Sequence, residues 1–169
     1  MLCRRLVPVL GLLAAGVPAL ASGNPGNSSL AIGTGWFDCN RRRDQAIETR
    51  IEYRRPVSAS GLQAVGAGVA TTDGSIFVGG GIAYAIPLGR FDLTPSFVPG
   101  LYRQGTGKDL GYPVEFRSQL EAGARLGRRS RVALAFSHTS NGGLGSANPG
   151  QESLTLTVQV PLGGGGRPR

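Results

Sequence analysis

The sequence predicts an all-β fold, an eight-stranded antiparallel transmembrane β-barrel, and three features of the chain lead to this prediction. Apolar and polar residues alternate with a period of two in repeated segments after residue 30, whereas helical periodicity is weak there. The N-terminus has the features of an export signal. No later stretch supplies about 18 consecutive apolar residues, so no membrane-spanning helix is expected.

The first 21 residues are predicted to be a signal peptide. Arg4 and Arg5 form a positive region, residues 6–17 form a short apolar stretch, and Ala-Leu-Ala at 19–21 fits a cleavage site. We therefore expect a signal at 1–21, a barrel at 22–162 and a disordered, basic, glycine-rich tail at 163–169. An exported barrel of this kind is expected in the cell outer membrane.

The charge of the chain is strongly basic. Removing the signal takes away two of the 18 basic residues and none of the 10 acidic ones, which leaves a net charge of +6. Nucleic acid could bind a chain with this charge. For an exported protein, however, anionic lipid phosphates are the expected partner, because guanidinium groups bind phosphate bidentately. We therefore expect no nucleic-acid partner. Cys3 leaves with the signal, and the single cysteine that remains excludes a disulfide-stapled scaffold.

Eight strands are expected, with connections that alternate between the two ends of the barrel. The strands are predicted at 31–38, 46–54, 62–70, 75–86, 90–101, 112–126, 130–140 and 151–162. Because an even number of strands places both termini on the periplasmic side, the connections 55–61, 87–89 and 126–129 are expected to be short periplasmic turns. The outer loops would be 39–45, 71–74, 102–111 and 141–150.

Strand parity predicts which residues face outward. In the last strand the even positions from Leu154 to Leu162 are apolar, while the odd positions from Ser153 to Gln159 are polar. A soluble barrel would bury the apolar face and a membrane barrel would turn it to lipid, so alternation alone permits both arrangements and the export signal favours the membrane. In the third strand the parity stays open, because positions 62, 64, 66 and 68 compete with 65, 67 and 69 for the outside.

Charged residues at interior positions are expected to pair with one another. The interior of an eight-stranded barrel is just wide enough for side chains, so charges inside it need partners. Acidic and basic residues of the second and sixth strands match in number and sign: Glu48, Glu52, Glu115 and Glu121 against Arg50, Arg54, Arg117 and Arg125. A sealed polar interior is predicted, not a pore.

Three polar residues interrupt the outward apolar face near the outer end of the last two strands. His138 and Ser140 share the parity of Leu134 and Phe136, and Glu152 begins the apolar row of the last strand. A serine hydroxyl needs a base, and an imidazole base needs a carboxylate that fixes its tautomer. Ser140 is therefore a candidate nucleophile, His138 a candidate general base and Glu152 its orienting group.

Asn141 and the backbone near Gly143 are candidates for an oxyanion hole, since glycine permits a close approach of the backbone to a tetrahedral intermediate. The alternative to a catalytic site is that these residues are an ordinary set of polar residues at the membrane interface. The chain has one histidine and no cluster with metal-ligand spacing.

The C-terminal motif resembles the lipid A 3-O-deacylase family, the PagL-like outer-membrane acyloxyacyl hydrolases. The resemblance is carried by the sequence HTSNGG at 138–143, by Glu152 twelve residues after Ser140, and by the final strand ending Val-Pro-Leu at 160–162. It implies an eight-stranded barrel with a Ser-His-Glu triad on its outer surface, formed here by Ser140, His138 and Glu152, with Asn141 and Gly143 in the oxyanion hole. It also implies hydrolysis of the 3-linked acyl chain of lipid A in lipopolysaccharide, without a metal or cofactor.

Two further groups of residues have open interpretations. Arg41, Arg42, Arg43, Arg103 and Lys108 lie in predicted outer loops and either bind lipid phosphates or are merely solvated. The aromatic residues Trp36, Phe37, Tyr53, Tyr84, Phe97 and Tyr102 form either an interfacial girdle, which is favoured, or a substrate groove.

We therefore predict an outer-membrane serine esterase that acts on lipid A. A noncatalytic barrel that binds lipid or lipopolysaccharide is the alternative, and a soluble exported β-sandwich is a third. Acyl-chain length preference, formation of a homodimer and latency in the membrane are left open by the sequence.

Overall fold

The structure, a computed structural model, describes residues 27–41, 43–126 and 130–162. These residues form nine strands: β1 (Ser29–Phe37), β2 (Ala46–Pro56), β3 (Leu62–Thr71), β4 (Ile76–Tyr84), β5 (Ile86–Leu88), β6 (Phe91–Arg103), β7 (Val114–Leu126), β8 (Ser130–Ser140) and β9 (Gln151–Pro161). Among the described residues there is no helix that could cross a membrane. The predicted signal peptide and the predicted basic tail lie outside the described residues, and both stay predictions.

The strands close into an antiparallel barrel, which confirms the predicted fold class. Apart from β4 and β5, each strand pairs with the next one in the chain, and β1 pairs with β9 from Ser29↔Pro161 to Trp36↔Leu154. Both β4 and β5 pair with β6, so together they form the fourth of eight barrel strands. The fourth strand is interrupted at Ala85, whose N–H donates to Gly61 O at 3.0 Å in the preceding turn.

The two ends of the barrel differ in their connections. We call the end with the β1–β2, β3–β4, β6–β7 and β8–β9 connections the loop end, and the opposite end the turn end. The strand boundaries lie within two residues of the predicted ones, apart from the interruption at Ala85. The loops at 39–45, 104–113 and 141–150 are three of the connections that define the loop end, so all three lie at the same end of the barrel.

The outer surface is apolar and the interior carries the charges, as strand parity predicts. Ile51, Leu134 and Phe136 are about half exposed on the outside, while Arg50, Glu52 and Thr155 are buried inside. The open parity of the third strand is resolved, because Val65, Ala67 and Val69 are buried and the glycines between them face out.

The interior ion pairs form a continuous network near the turn end. Arg50 and Arg54 contact both Glu52 and Glu121, and Arg131 contacts Glu121 and Asp92. A separate pair joins Arg117 to Glu48 at 2.6 Å, and Ser153 also donates to Glu48. Most of the predicted acidic residues therefore have the cationic partners that burial requires.

Two members of the predicted charge set behave differently. Arg125 is exposed close to the end of β7, where its side chain reaches the surface, and Arg131 of β8 occupies the interior in its place. Glu115 is fully buried, but neither of its carboxylate oxygens has a hydrogen-bond partner within the described part of the chain. The prediction of complete pairing is wrong for these two residues.

Part of the interior is apolar rather than polar. A cluster of buried side chains lies toward β3, β4 and β6 and consists of Phe37, Ala46, Val65, Ala67, Val69, Phe77, Ala83, Val98, Tyr102 and Leu110. Phe37 and Tyr102 therefore do not belong to a girdle, because they point into the barrel. Tyr53, Tyr84 and Phe97 face outward, as a girdle requires.

Candidate active site

His138 and Glu152 contact each other on the outer face of the barrel, close to the loop end. They are direct cross-strand partners in the β8–β9 ladder. His138 Nδ1 lies 3.0 Å from Glu152 Oε1, which is hydrogen-bond distance. The imidazole is 47% exposed and the glutamate side chain 17% exposed, so the carboxylate is the more sheltered member of the pair. This contact fixes which ring nitrogen faces the carboxylate and leaves Nε2 for another partner.

Ser140 lies on the same outward face of β8, two residues beyond His138. Its cross-strand partner on β7 is the outward-facing Phe116, and that of His138 is Ser118. Positions two apart on a strand are separated by about 6.6 Å, a span that an imidazole ring can reach across. Among the described residues no hydrogen bond joins Ser140 to His138, so the structure brings the base and the carboxylate together and leaves the hydroxyl beside them.

Gly150 is a residue of the site that sequence reasoning missed. It precedes β9, is buried and has a φ of 55°. A Cβ at this position would lie 3.0 Å from His138 Cε1 and 3.5 Å from Nε2. The backbone of Gly150 therefore packs against the imidazole, and only glycine fits without displacing the ring. The Pro-Gly pair at 149–150 was a turn signal in the sequence, but nothing in it pointed to the histidine.

Asn141 is buried directly after Ser140 and joins two loops. Its Nδ2 donates to Leu110 O at 2.9 Å and to Ala147 O at 2.8 Å. Its Oδ1 accepts from the Gly143 N–H at 2.9 Å. Both predicted oxyanion donors, the Asn141 amide and the Gly143 N–H, are thus engaged within the protein, and their assignment stays a prediction.

The β6–β7 loop folds over the interior at the loop end instead of extending into solvent. Leu110 is 1% exposed and belongs to the apolar cluster. Lys108 is 5% exposed, and its Nζ binds Asp38 Oδ1 at 2.6 Å. The sequence left Lys108 open between phosphate binding and simple solvation, and neither interpretation holds because its charge is buried and paired. Its partner Asp38 has a φ of 51° at the start of the first outer loop.

The remaining basic residues that the structure describes in this cluster are exposed on both sides of the site. Arg41 and Arg43 lie in the β1–β2 loop, which begins beside Glu152, since the Cys39 N–H donates to Glu152 O at 2.9 Å. Arg103 is exposed at the end of β6. Arg42 lies outside the described residues.

Aromatic rings border the serine on the side away from Glu152. Phe97 and Phe116 are stacked, with ring centroids 5.9 Å apart and an interplanar angle of 8°. A Cβ on Gly142 would lie 3.2 Å from the Phe116 ring, so the turn after Ser140 packs against the same ring. A substrate that reaches Ser140 would meet apolar surface next to polar groups. An acyl ester matches such a surface, because it joins an apolar chain to a polar ester group.

The comparisons with known proteins concern the family and the fold of the chain. A family model described as Lipid A 3-O-deacylase (PagL) matches residues 63–161, from β3 to the end of β9. The chain resembles the crystal structure of the outer membrane enzyme PagL, with a TM-score of 0.61 and 16% identity over 79% of this chain and 99% of that one.

Two further structures share the fold. A designed transmembrane β-barrel has a TM-score of 0.58 and 12% identity over 84% of this chain and 100% of its own. The Yersinia pestis outer membrane protein Ail has a TM-score of 0.52 and 10% identity over 81% of this chain and 99% of its own. No curated protein sequence matches the chain. Because the family model spans more than half of its residues, the chain belongs to the lipid A 3-O-deacylase (PagL) family.

Proposed function

We propose that this protein is an outer-membrane esterase that hydrolyses the 3-O-linked acyl chain of lipid A, with Ser140 as nucleophile, His138 as general base and Glu152 as its orienting group. The observation that carries the proposal is the 3.0 Å contact between His138 Nδ1 and Glu152 Oε1 on the outward face, with Ser140 on the same face of the same strand. Family membership supports the choice of lipid A as substrate.

The triad would work by acyl transfer in two halves. Ser140 Oγ attacks the ester carbonyl while His138 Nε2 accepts the hydroxyl proton, and Glu152 stabilises the resulting imidazolium. The bond from the acyl carbon to the sugar oxygen then breaks, and His138 returns the proton to that oxygen. Water attacks the acyl-serine with His138 again as base, and a free fatty acid leaves with the serine restored.

The outward position of the triad supports a substrate that comes from the membrane. The surface around the triad is formed by apolar residues such as Phe116, Phe136 and Leu154. Such a surface favours binding of an acyl chain over binding of a water-soluble ester. The exposed Arg41, Arg43 and Arg103 fit the anionic phosphates of a lipid headgroup at the loop end. The predicted export signal at 1–21 would deliver the chain to the outer membrane.

Replacement of the serine tests the proposal directly. The purified Ser140→Ala protein, given lipid A in detergent, is expected to lose acyl release by about 10³-fold or more, because removal of a nucleophile abolishes the covalent step. Mass spectrometry of lipid A should show the loss of one 3-linked acyl chain with the wild type alone. Ser130→Ala, at the other end of β8, is the matched control and should retain activity. Release that persists in Ser140→Ala would refute the assignment, and no release by the wild type would favour a noncatalytic lipid-binding barrel.

A further inference from the structure

The geometry points to the backbone N–H of Gly142 as the oxyanion donor of the site, with Asn141 as a positioning residue that holds the turn carrying it. This inference rests on the proposed esterase function. It replaces the expectation that the Asn141 side chain and the Gly143 N–H make direct contact with the oxyanion.

The Asn141 side chain has no capacity left for a substrate. It is fully buried, and its two amide hydrogens are used by Leu110 O and Ala147 O. Its oxygen accepts from Gly143, its backbone N–H donates to Asn148 Oδ1 at 3.1 Å, and its carbonyl accepts from the Leu144 N–H at 3.2 Å. An oxyanion could use this amide only if the carbonyl of Leu110 or of Ala147 lost its donor, and the Leu110 bond is buried, which makes its loss unfavourable.

The Gly143 N–H is also occupied, because it closes the hydrogen bond to Asn141 Oδ1 at 2.9 Å. Two consecutive glycines with φ values of 64° and 86° form the corner of this turn, a conformation that other residues adopt only with strain. Asn141 therefore fixes the turn from both sides, through its own side chain and through the Asn141–Leu144 bond.

The Gly142 N–H is left without a partner among the described residues, and it belongs to the turn that directly follows the nucleophile. Gly142 is exposed, follows Ser140 by two residues and packs on the Phe116 ring, which is the cross-strand neighbour of Ser140. When Ser140 Oγ bonds to the acyl carbon, the carbonyl π-electron pair moves onto oxygen as negative charge. A donor that is already held in place and has no partner within the described part of the protein stabilises this charge without a protein hydrogen bond having to break.

Replacing single backbone N–H groups by ester oxygens tests the assignment. Glycolic acid is introduced at position 142 or, as the matched control, at 143 by suppression in cell-free translation of the full chain, and each protein is folded into detergent micelles. We expect the ester at 142 to lower kcat for fatty-acid release from lipid A by about 10²–10³-fold with little change in KM, as for removal of one oxyanion donor. The ester at 143 should cost less than tenfold.

A second variant keeps the test decisive if the ester disturbs folding. N-methylglycine at 142 retains the amide and replaces its hydrogen by a methyl group, and it should lose kcat to a similar degree. A wild-type rate from a folded 142 variant, or a larger loss at 143, would overturn the inference while leaving the triad intact. If the wild type itself releases no fatty acid, the proposed function fails, and this inference with it.

Asn141→Ala separates positioning from direct donation. If Asn141 positions the turn, its loss should lower kcat and also open the 141–150 loop to limited proteolysis. A kcat loss with a loop as protease-resistant as in the wild type would identify the side chain as the direct donor and would overturn the inference.

Discussion

Gly150 illustrates how a residue without a side chain can determine the geometry of a neighbouring histidine, here the proposed general base. Glu152 holds one side of the imidazole through Nδ1, and the Gly150 backbone bounds the ring near Cε1 and Nε2. The ring is therefore confined between its hydrogen bond to Glu152 and its steric contact with the Gly150 backbone. Ring orientation decides whether Nε2 can reach the serine hydroxyl, so both contacts are expected to affect the rate.

Gly150→Ala is expected to lower kcat by about 10²-fold, since the added methyl group would displace the His138 ring. Gly89→Ala is the matched control, because Gly89 also has a positive φ, of 68°, but has nothing within 4 Å of an added Cβ and lies at the turn end. Both variants have backbone strain, and only one touches the imidazole. Steady-state rates of acyl release measure the difference, and equal losses in the two proteins would contradict the steric role of Gly150.

The sequence was sufficient to place the three residues of the proposed triad on one face, but not to determine their contacts. Parity depends on alternation, which is a local pattern that can be read along a strand. The His138↔Glu152 register depends on pairing between strands, and a slip of one residue would have turned Glu152 inward. The roles of Asn141 and Gly150 depend on atoms of loops distant in sequence, and no periodicity encodes such contacts.

At the scale of the element, the outer loops contact one another and form a connected layer. Asp73 of the β3–β4 loop accepts from the Ser75 N–H and from Thr71, and its carbonyl accepts from the Thr106 N–H of the β6–β7 loop. That loop in turn reaches Asn141 through Leu110 O. Composition predicted where these loops begin and end, yet polar and glycine-rich segments give no signal of what they pack against.

The Asp73 carboxylate is expected to make the stability of this layer depend on pH. Burial raises the pKa of Asp73, but hydrogen bonds from Thr71 and Ser75 outweigh it and hold that pKa below its ordinary value of 3.8. A depressed carboxyl pKa adds stability that is complete above the ordinary pKa and disappears as the pH falls through the lower, folded-state value. Hydrogen exchange in the 71–75 and 104–107 segments should therefore accelerate at the acid end, below about pH 4.

Asp73→Asn is the matched variant for this prediction. Its amide cannot change charge, so exchange in the two loops should no longer accelerate on acidification beyond what the chemistry of exchange itself produces. An acid-induced change of the same size in Asp73→Asn and in the wild type would show that another group is responsible.

At the scale of the whole molecule, the barrel reverses the usual distribution of polarity. Its outward residues are apolar, while its interior contains Arg50, Arg54 and Arg131 against Glu52, Glu121 and Asp92, three charges of each sign. Such a network contributes little net stability over apolar packing, but it is intolerant of losing one member. The proposed triad interrupts the apolar outer face, and the sheet separates its three polar residues from the charged residues of the interior.

Glu121 is the centre of the interior network, and its replacement should destabilise the barrel strongly. It is fully buried and contacts Arg50, Arg54 and Arg131, so Glu121→Gln would leave one buried positive charge uncompensated. We expect the free energy of unfolding to fall by about 3–5 kcal/mol, measured by urea titration of the folded, faster-migrating gel species. Glu115→Gln, in the same strand and equally buried, should change it by less than about 1 kcal/mol or increase it, because the Glu115 carboxylate has no hydrogen-bond partner to lose within the described residues. Equal losses from the two substitutions would mean that burial of a carboxylate, and not its pairing, determines the stability of this interior.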